Sequence, residues 1–69
     1  MDYEQSMQEL EEIIKKLEGG DVKFDQATAL FERGANICKE LSKNFNDTKG
    51  KVTVIREELM GIINEEDLL

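Results

Sequence analysis

Between Ala27 and Ile62, eleven residues follow one another at alternating steps of four and three. These residues, called the seam below, are Ala27, Phe31, Gly34, Cys38, Leu41, Phe45, Thr48, Val52, Ile55, Leu59 and Ile62. A period of 3.5 residues is typical of a helix that packs against other helices in a coiled coil. The seam therefore predicts one long helix over about residues 24–63, and the stretch itself would be roughly 55 Å long at 1.5 Å per residue.

A shorter amphipathic segment precedes the seam. Asp2 is a suitable helix cap, and the apolar residues that follow repeat the same alternation at Tyr3, Met7, Leu10, Ile14 and Leu17. The pair Gly19-Gly20 comes next, and a glycine in the left-handed conformation is a common end of a helix. We therefore predict a first helix over about residues 2–18. Because the connection is only a few residues long, the second helix should return antiparallel beside the first.

The predicted fold is an all-α, antiparallel two-helix hairpin with coiled-coil-like packing, a single domain over residues 1–69 whose residues 64–69 are frayed. The first helix would span roughly 25 Å, less than half of the second. The far half of the seam would then stand in water, and an exposed apolar stripe usually marks a protein–protein interface. The predicted partner contacts are Phe45, Val52, Ile55, Leu59 and Ile62. Gly50 lies off the seam and costs roughly 1 kcal/mol in a helix interior, so a weak point is expected there.

Composition excludes several classes of function. The chain has no histidine, which removes the Ser-His-Asp type of triad and histidine metal ligands, and one cysteine, Cys38, which allows no intramolecular disulfide. Neighbouring acids such as Glu11 and Glu12 point about 100° apart on a helix, as solvated surface pairs do. No apolar run is long enough to span a membrane. We therefore expect a cytoplasmic protein with no catalytic residue, metal or cofactor of its own.

Charge is distributed unevenly along the chain. The net charge is −7, yet residues 39–56 carry five basic and two acidic residues between two acidic segments. An acidic chain is not expected to bind nucleic acid through its overall charge. The basic middle segment is therefore either a solvated face or a secondary contact with single-stranded DNA, and both interpretations stay open at this point.

The first half of the chain has more specific residues at defined positions than an amphipathic hairpin requires. Two runs carry the signal: Tyr3-Glu4-x3-Met7-x2-Leu10-Glu11-x-Ile13-Ile14-x2-Leu17-Glu18-x-Gly20-Asp21-Val22 and Phe24-Asp25-x-Ala27-x2-Leu30-Phe31-Glu32-Arg33-Gly34. In these runs the chain resembles the small subunit of bacterial exodeoxyribonuclease VII, and a looser likeness continues to Val52. The resemblance implies that the hairpin is defined by Leu17, Glu18, Gly20, Phe31 and Gly34.

The resemblance also implies a role. A small subunit of this family is the non-catalytic part of a hydrolase that degrades single-stranded DNA from both ends to oligonucleotides. The expected partners are the large catalytic subunit and further copies of this chain, and single-stranded DNA would be met only through the complex. The chain departs from the family pattern at Thr48-Lys49, where an Ala-Glu pair is usual, and Gly50 follows. The alternative is a self-associating helical-hairpin adaptor unrelated to a nuclease, which would ignore any large nuclease chain.

Overall fold

The computed structural model describes the backbone of residues 2–67 and the side chains of residues 2–62. Within these bounds the protein consists of three helices and has no strand. Helix α1 spans Tyr3–Gly19, α2 spans Phe24–Asn44 and α3 spans Lys51–Asp67. The prediction of an all-α chain is confirmed, whereas the prediction of only two helices is wrong.

Short local signals set both ends of α1. The Asp2 carboxylate accepts the Glu4 N–H at 2.9 Å, which satisfies an amide that the first turn of a helix leaves without a partner. At the other end Gly20 has a φ of 72°, and its N–H donates to the Leu17 carbonyl at 3.3 Å. A side chain with a Cβ is strained in that left-handed backbone, so a glycine ends the helix and turns the chain.

The long helix predicted over residues 24–63 is broken in two. Helix α2 ends at Asn44, and residues 45–50, the second connection, lead into α3. Gly50 has a φ of 69°, which is outside the α-helical region. The Asp47 carboxylate accepts two backbone amides of the first turn of α3 and so starts a new helix. The weak point expected at Gly50 is therefore a complete interruption of the helix.

The return of α3 lets this small chain close its own core. Each helix contacts the other two. Among the side chains of residues 2–62, ten apolar ones are buried between the helices: Leu10, Ile13, Ile14, Leu17, Ile37, Cys38, Leu41, Val52, Ile55 and Leu59. In an open hairpin the members from α3 would face water, at a cost of about 25 cal/mol for each Å² of apolar surface. Their burial is the physical reason why the free chain folds back on itself.

The prediction that residues 64–69 fray stays a prediction. The backbone is described as helical up to Asp67, and the side chains beyond Ile62 lie outside the described residues.

Candidate partner-binding surface

Helix α3 covers an apolar groove that α1 and α2 form together. Gly34 is a point of close approach: a Cβ built there would lie 3.0 Å from Leu59 Cδ2 and 3.6 Å from Ile13 Cγ2. The Leu59 side chain therefore uses the space that the missing Gly34 side chain leaves, and it is 0% exposed. One residue of the hairpin motif thus shapes the groove around a residue of α3.

Three of the five predicted partner contacts lie inside the chain. Val52, Ile55 and Leu59 are 1%, 6% and 0% exposed. The expectation that they stand in water is wrong for the free chain, because the second connection allows α3 to pack on α1 and α2. Their contact with a partner stays a prediction, and it would require α3 to leave the groove.

The other two predicted contacts lie at the edges of the core. The Phe45 ring packs edge-on against the Tyr3 ring, with centroids 5.4 Å apart, and 36% of Phe45 remains exposed. Ile62 is partly buried against the core. The Tyr3–Phe45 pair joins the start of α1 to the end of α2, as an antiparallel hairpin requires.

The five residues of the hairpin motif have different environments. Leu17 is in the core, Gly20 ends α1 and Gly34 lies beneath α3. Phe31 is partly buried and packs against the same core. Glu18 is exposed on the last turn of α1, so packing within this chain does not account for its place in the motif.

Asp47 is the polar residue on which the second connection depends. Its carboxylate accepts the Val52 N–H at 3.0 Å, the Thr53 N–H at 3.1 Å and the Thr53 hydroxyl at 2.7 Å. These hydrogen bonds lower the pKa of the Asp47 carboxyl below its ordinary value, and the bond from the Thr53 hydroxyl has the largest effect. The positive charge on nearby Arg56 lowers this pKa as well. This cap was not predicted from the sequence, although Asp is among the residues preferred at the start of a helix.

A second polar contact that the sequence did not predict joins α1 to α2. The Arg33 guanidinium donates to both carboxylate oxygens of Glu9, at 2.7 Å and 3.1 Å. The hydrogen bond from Arg33 lowers the pKa of the Glu9 carboxyl. Both side chains are substantially exposed, at 60% and 42%, so the pair is expected to fix the alignment of the hairpin more than its stability.

Cys38 lies in the groove and behaves as an apolar residue. It is a free cysteine with 3% of its surface exposed. Burial raises the pKa of its thiol, and the opposing effect of the charge on Arg56 is smaller. The thiolate, which is the reactive form, is therefore disfavoured while α3 covers the groove.

Apolar side chains also remain on the outside of the bundle. Phe24, the first residue of α2, is 83% exposed, and Val54 and Met60 on the outer side of α3 are 59% and 46% exposed. Close to Phe24 in the chain, Val22 and Leu30 line a shallow depression with Lys16, Gln26 and Ala29. Residues 20–23 between α1 and α2 form the first connection. The end of the bundle at the first connection thus presents apolar surface that the described part of the chain does not cover.

The basic segment gathers around the second connection. Its exposed basic residues are Lys39 and Lys43 near the end of α2, Lys49 in the connection, and Lys51 and Arg56 at the start of α3. A contact of this end with nucleic acid stays a prediction. Among the described residues, no three acidic or cysteine side chains are grouped as a metal site would need. None of the described helices has the length and apolar character needed to cross a membrane.

A family comparison decides what kind of protein carries these surfaces. The sequence model described as "Exonuclease VII small subunit" matches residues 3–54, from the first residue of α1 through the second connection into α3. The chain belongs to the exonuclease VII small-subunit family. The family match thus contains the whole α1–α2 hairpin and Val52, and it ends before Ile55 and Leu59, the other two α3 residues that are buried in the groove.

Curated relatives agree with the family match. The chain is 40% identical over 55 residues to the exodeoxyribonuclease 7 small subunit of Endomicrobium trichonymphae, covering 80% of this chain and 78% of that protein. It is 44% identical over 55 residues to the exodeoxyribonuclease 7 small subunit of Ruegeria pomeroyi, and this match covers 80% of this chain and 76% of that protein. A match to the exodeoxyribonuclease 7 small subunit of Thermotoga neapolitana has 34% identity over 67 residues, which is 97% of this chain and 88% of that protein. No solved structure matches the chain.

Proposed function

We propose that this chain binds the large nuclease chain of exodeoxyribonuclease VII and assists its degradation of single-stranded DNA. The single observation that carries the proposal is the family match over residues 3–54, which contains the complete α1–α2 hairpin. The family is that of a small subunit, the non-catalytic part of a hydrolase complex. In this role the chain contributes contact surface, and the catalytic residues lie in the large chain.

The surface at the first connection is our first candidate for docking on the large chain. It combines the exposed Phe24 ring with the depression beside Val22 and Leu30. An aromatic ring that fills a pocket is a common anchor of a protein–protein interface. This surface lies within the family-matched residues and is open without any movement of α3.

The predicted contacts on the seam offer a second route. Phe45 and Ile62 are partly accessible in the bundle, whereas Val52, Ile55 and Leu59 would reach the large chain only after α3 has separated from the groove. Assembly in a cytoplasmic complex with several copies of this chain completes the proposal.

Co-purification tests the proposed partner. The chain would be tagged and expressed with the large nuclease chain of the same organism, and the large chain recovered on the tag would be quantified. We expect recovery with the wild type and strongly reduced recovery with Phe24→Asp. Asn36→Asp is the matched control, because it places the same charge at another exposed position of α2 and should leave recovery unchanged.

The outcomes separate the two candidate functions. A homo-oligomer that leaves the large chain behind in every variant would favour the self-associating adaptor and would contradict the nuclease subunit. Recovery that is equal for the wild type and Phe24→Asp would keep the partner but exclude the first-connection surface as its docking site.

A further inference from the structure

We propose that α3 is exchangeable: it leaves its own groove by straightening of the second connection, and the α3 helix of a second copy takes its place. The inference deepens the proposed assembly of several copies and rests on that part of the proposed function. It assigns the groove between α1 and α2 as the interaction surface, and it assigns a second copy of this chain as the occupant. Three observations on the second connection and the groove carry it.

The first observation is that the apolar register passes through the break. From Leu41 the seam continues at Phe45, Thr48 and Val52 without an added or missing residue, although residues 45–50 are not helical. A connection between two independent helices has no reason to preserve a 3.5-residue period. The second connection is therefore also the middle of a possible continuous helix, with Phe45 and Thr48 on its apolar side.

The second observation is that the groove already fits α3. Leu59 fills the space beside Gly34, and Val52 and Ile55 are buried against the same two helices. A second copy offers an identical helix, so every one of these contacts is reproduced when the occupant comes from another chain. Such an exchange of identical elements is a low-cost route to a dimer because the contacts between chains repeat those that already exist within one chain.

The third observation is that the two arrangements differ mainly in six residues. The folded-back form has the Asp47 cap and one turn hydrogen bond, from the Gly50 N–H to the Asp47 carbonyl at 3.1 Å. A continuous helix would lose that cap and place Gly50 in a helix interior, but it would give the amides and carbonyls of residues 45–50 regular helical partners. Since the groove contacts are common to both forms, the second connection and the protein concentration decide between them.

The exchanged dimer has a defined shape. A continuous helix over residues 24–67 would be about 66 Å long at 1.5 Å per residue, compared with 35 Å for the longest axis of the folded-back chain. Two such helices related by a two-fold axis near Thr48 would cross there, and each half of the dimer would be a three-helix bundle. The two Phe45 rings would lie near the axis.

Oligomeric state measured on the isolated chain tests this inference without the nuclease. We would compare wild type and Gly50→Ala by size-exclusion chromatography with light scattering over a range of concentrations. Alanine is strained at a φ of 69° and favoured in a helix. Each dimer contains two connections, so the relief of left-handed strain and the gain in helix propensity together should lower the dimer dissociation constant by about 1,000-fold, roughly 30-fold for each connection.

Two further variants serve as controls. Gly61→Ala makes the same substitution in α3 at a position with no atom within 4 Å of the new Cβ, and it should leave the dissociation constant unchanged. Insertion of two glycines between Phe45 and Asn46 leaves the Asp47 cap intact but breaks the register of a continuous helix, and it should keep the chain monomeric. If Gly50→Ala does not fold, Asp47→Ala, which removes the cap without changing Gly50, replaces it.

An isotope-filtered NMR measurement identifies the occupant. In a mixture of labelled and unlabelled Gly50→Ala, an intermolecular NOE between Gly34 and the Leu59 methyls, together with helical chemical shifts for residues 45–50, would support exchange. A dimer whose residues 45–50 keep their non-helical shifts would overturn it in favour of side-by-side association. A Gly50→Ala chain that stays monomeric at all concentrations would also overturn it. So would a connection that becomes helical only when the large chain is added, which would give the groove to a partner helix.

Discussion

The two connections of the bundle each contain a glycine with a left-handed backbone, but the apolar pattern of the sequence around the two glycines differs. Gly20 after α1 and Gly50 before α3 both have a left-handed backbone, with φ of 72° and 69°. At the first connection the apolar alternation stops as well, since a further step of four from Leu17 falls on Asp21. At the second connection the seam continues as if no turn were present.

In this chain the left-handed glycine and the apolar pattern indicate the same turn at Gly20, whereas at Gly50 they do not. Around Gly20 the local backbone and the hydrophobic pattern both favour a turn. Around Gly50 the backbone favours a turn, whereas the hydrophobic pattern favours a continuous helix. The Asp47 cap and the burial of α3 stabilise the turn in the free chain. The first connection is therefore a fixed part of the fold, and the second is a part whose state depends on what fills the groove.

The largest effect is expected from loosening α3. Leu59→Ala removes a side chain that is 0% exposed and leaves a cavity beside Gly34, so it should cost about 2–5 kcal/mol of unfolding free energy. That loss is comparable with the whole stability of about 3–5 kcal/mol expected for a core of this size. Urea unfolding followed by circular dichroism measures it.

Met60→Ala is the control for that measurement. Met60 neighbours Leu59 but is 46% exposed, so its truncation should change the unfolding free energy by less than about 1 kcal/mol. Equal losses for the two variants would show that α3 does not pack in the groove as described.

A smaller effect is expected at the first connection. Gly20→Ala places a Cβ on a left-handed backbone and should cost about 1–2 kcal/mol, without any gain in self-association. Gly19→Ala is the matched control, because Gly19 lies at the end of α1, where a Cβ meets no atom within 4 Å. A Gly20→Ala chain that dimerises as Gly50→Ala is expected to do would erase the distinction between the two connections.

The Asp47 cap should make the second connection sensitive to acid. Because the folded-state pKa of this carboxyl lies below its unfolded value of about 3.9, its stabilising effect is present above that value and is lost as pH falls through the lowered pKa. At pH 7, Asp47→Ala should lower Tm by about 4–8 °C. In strong acid the two melting curves should converge.

Asp21→Ala, which removes an exposed acid from the first connection, should leave Tm nearly unchanged at both pH values. A difference between wild type and Asp47→Ala that persists unchanged in strong acid would mean that the ionised carboxylate does not stabilise α3.

The smallest effect is expected for the ion pair on the hairpin. Glu9→Gln removes the charge that faces Arg33, and because both side chains are well exposed the change in Tm should be under about 3 °C. The double variant Glu9→Gln with Arg33→Gln measures the coupling of the pair. A loss as large as that of Leu59→Ala would show that the pair, rather than the apolar groove, holds the hairpin.

The α1–α2 hairpin could be predicted from the sequence, whereas the interruption of the long helix at residues 45–50 could not. Residues Asp2 and Gly20 act on their immediate neighbours, so the ends of α1 followed from local rules. The burial of Leu59 against Gly34 did not, because a periodic apolar pattern shows which side of a helix is covered and does not show by what. The Arg33–Glu9 contact spans 24 residues of sequence, and no local pattern indicates it.

A degradation assay shows whether this chain assists a nuclease without being one. Labelled single-stranded DNA would be incubated with this chain alone, with the large nuclease chain alone and with both together. We predict no degradation by this chain alone and the highest degradation by the combination. Degradation by this chain alone, or activity of the large chain that is unaffected by adding it, would contradict the role of a non-catalytic small subunit.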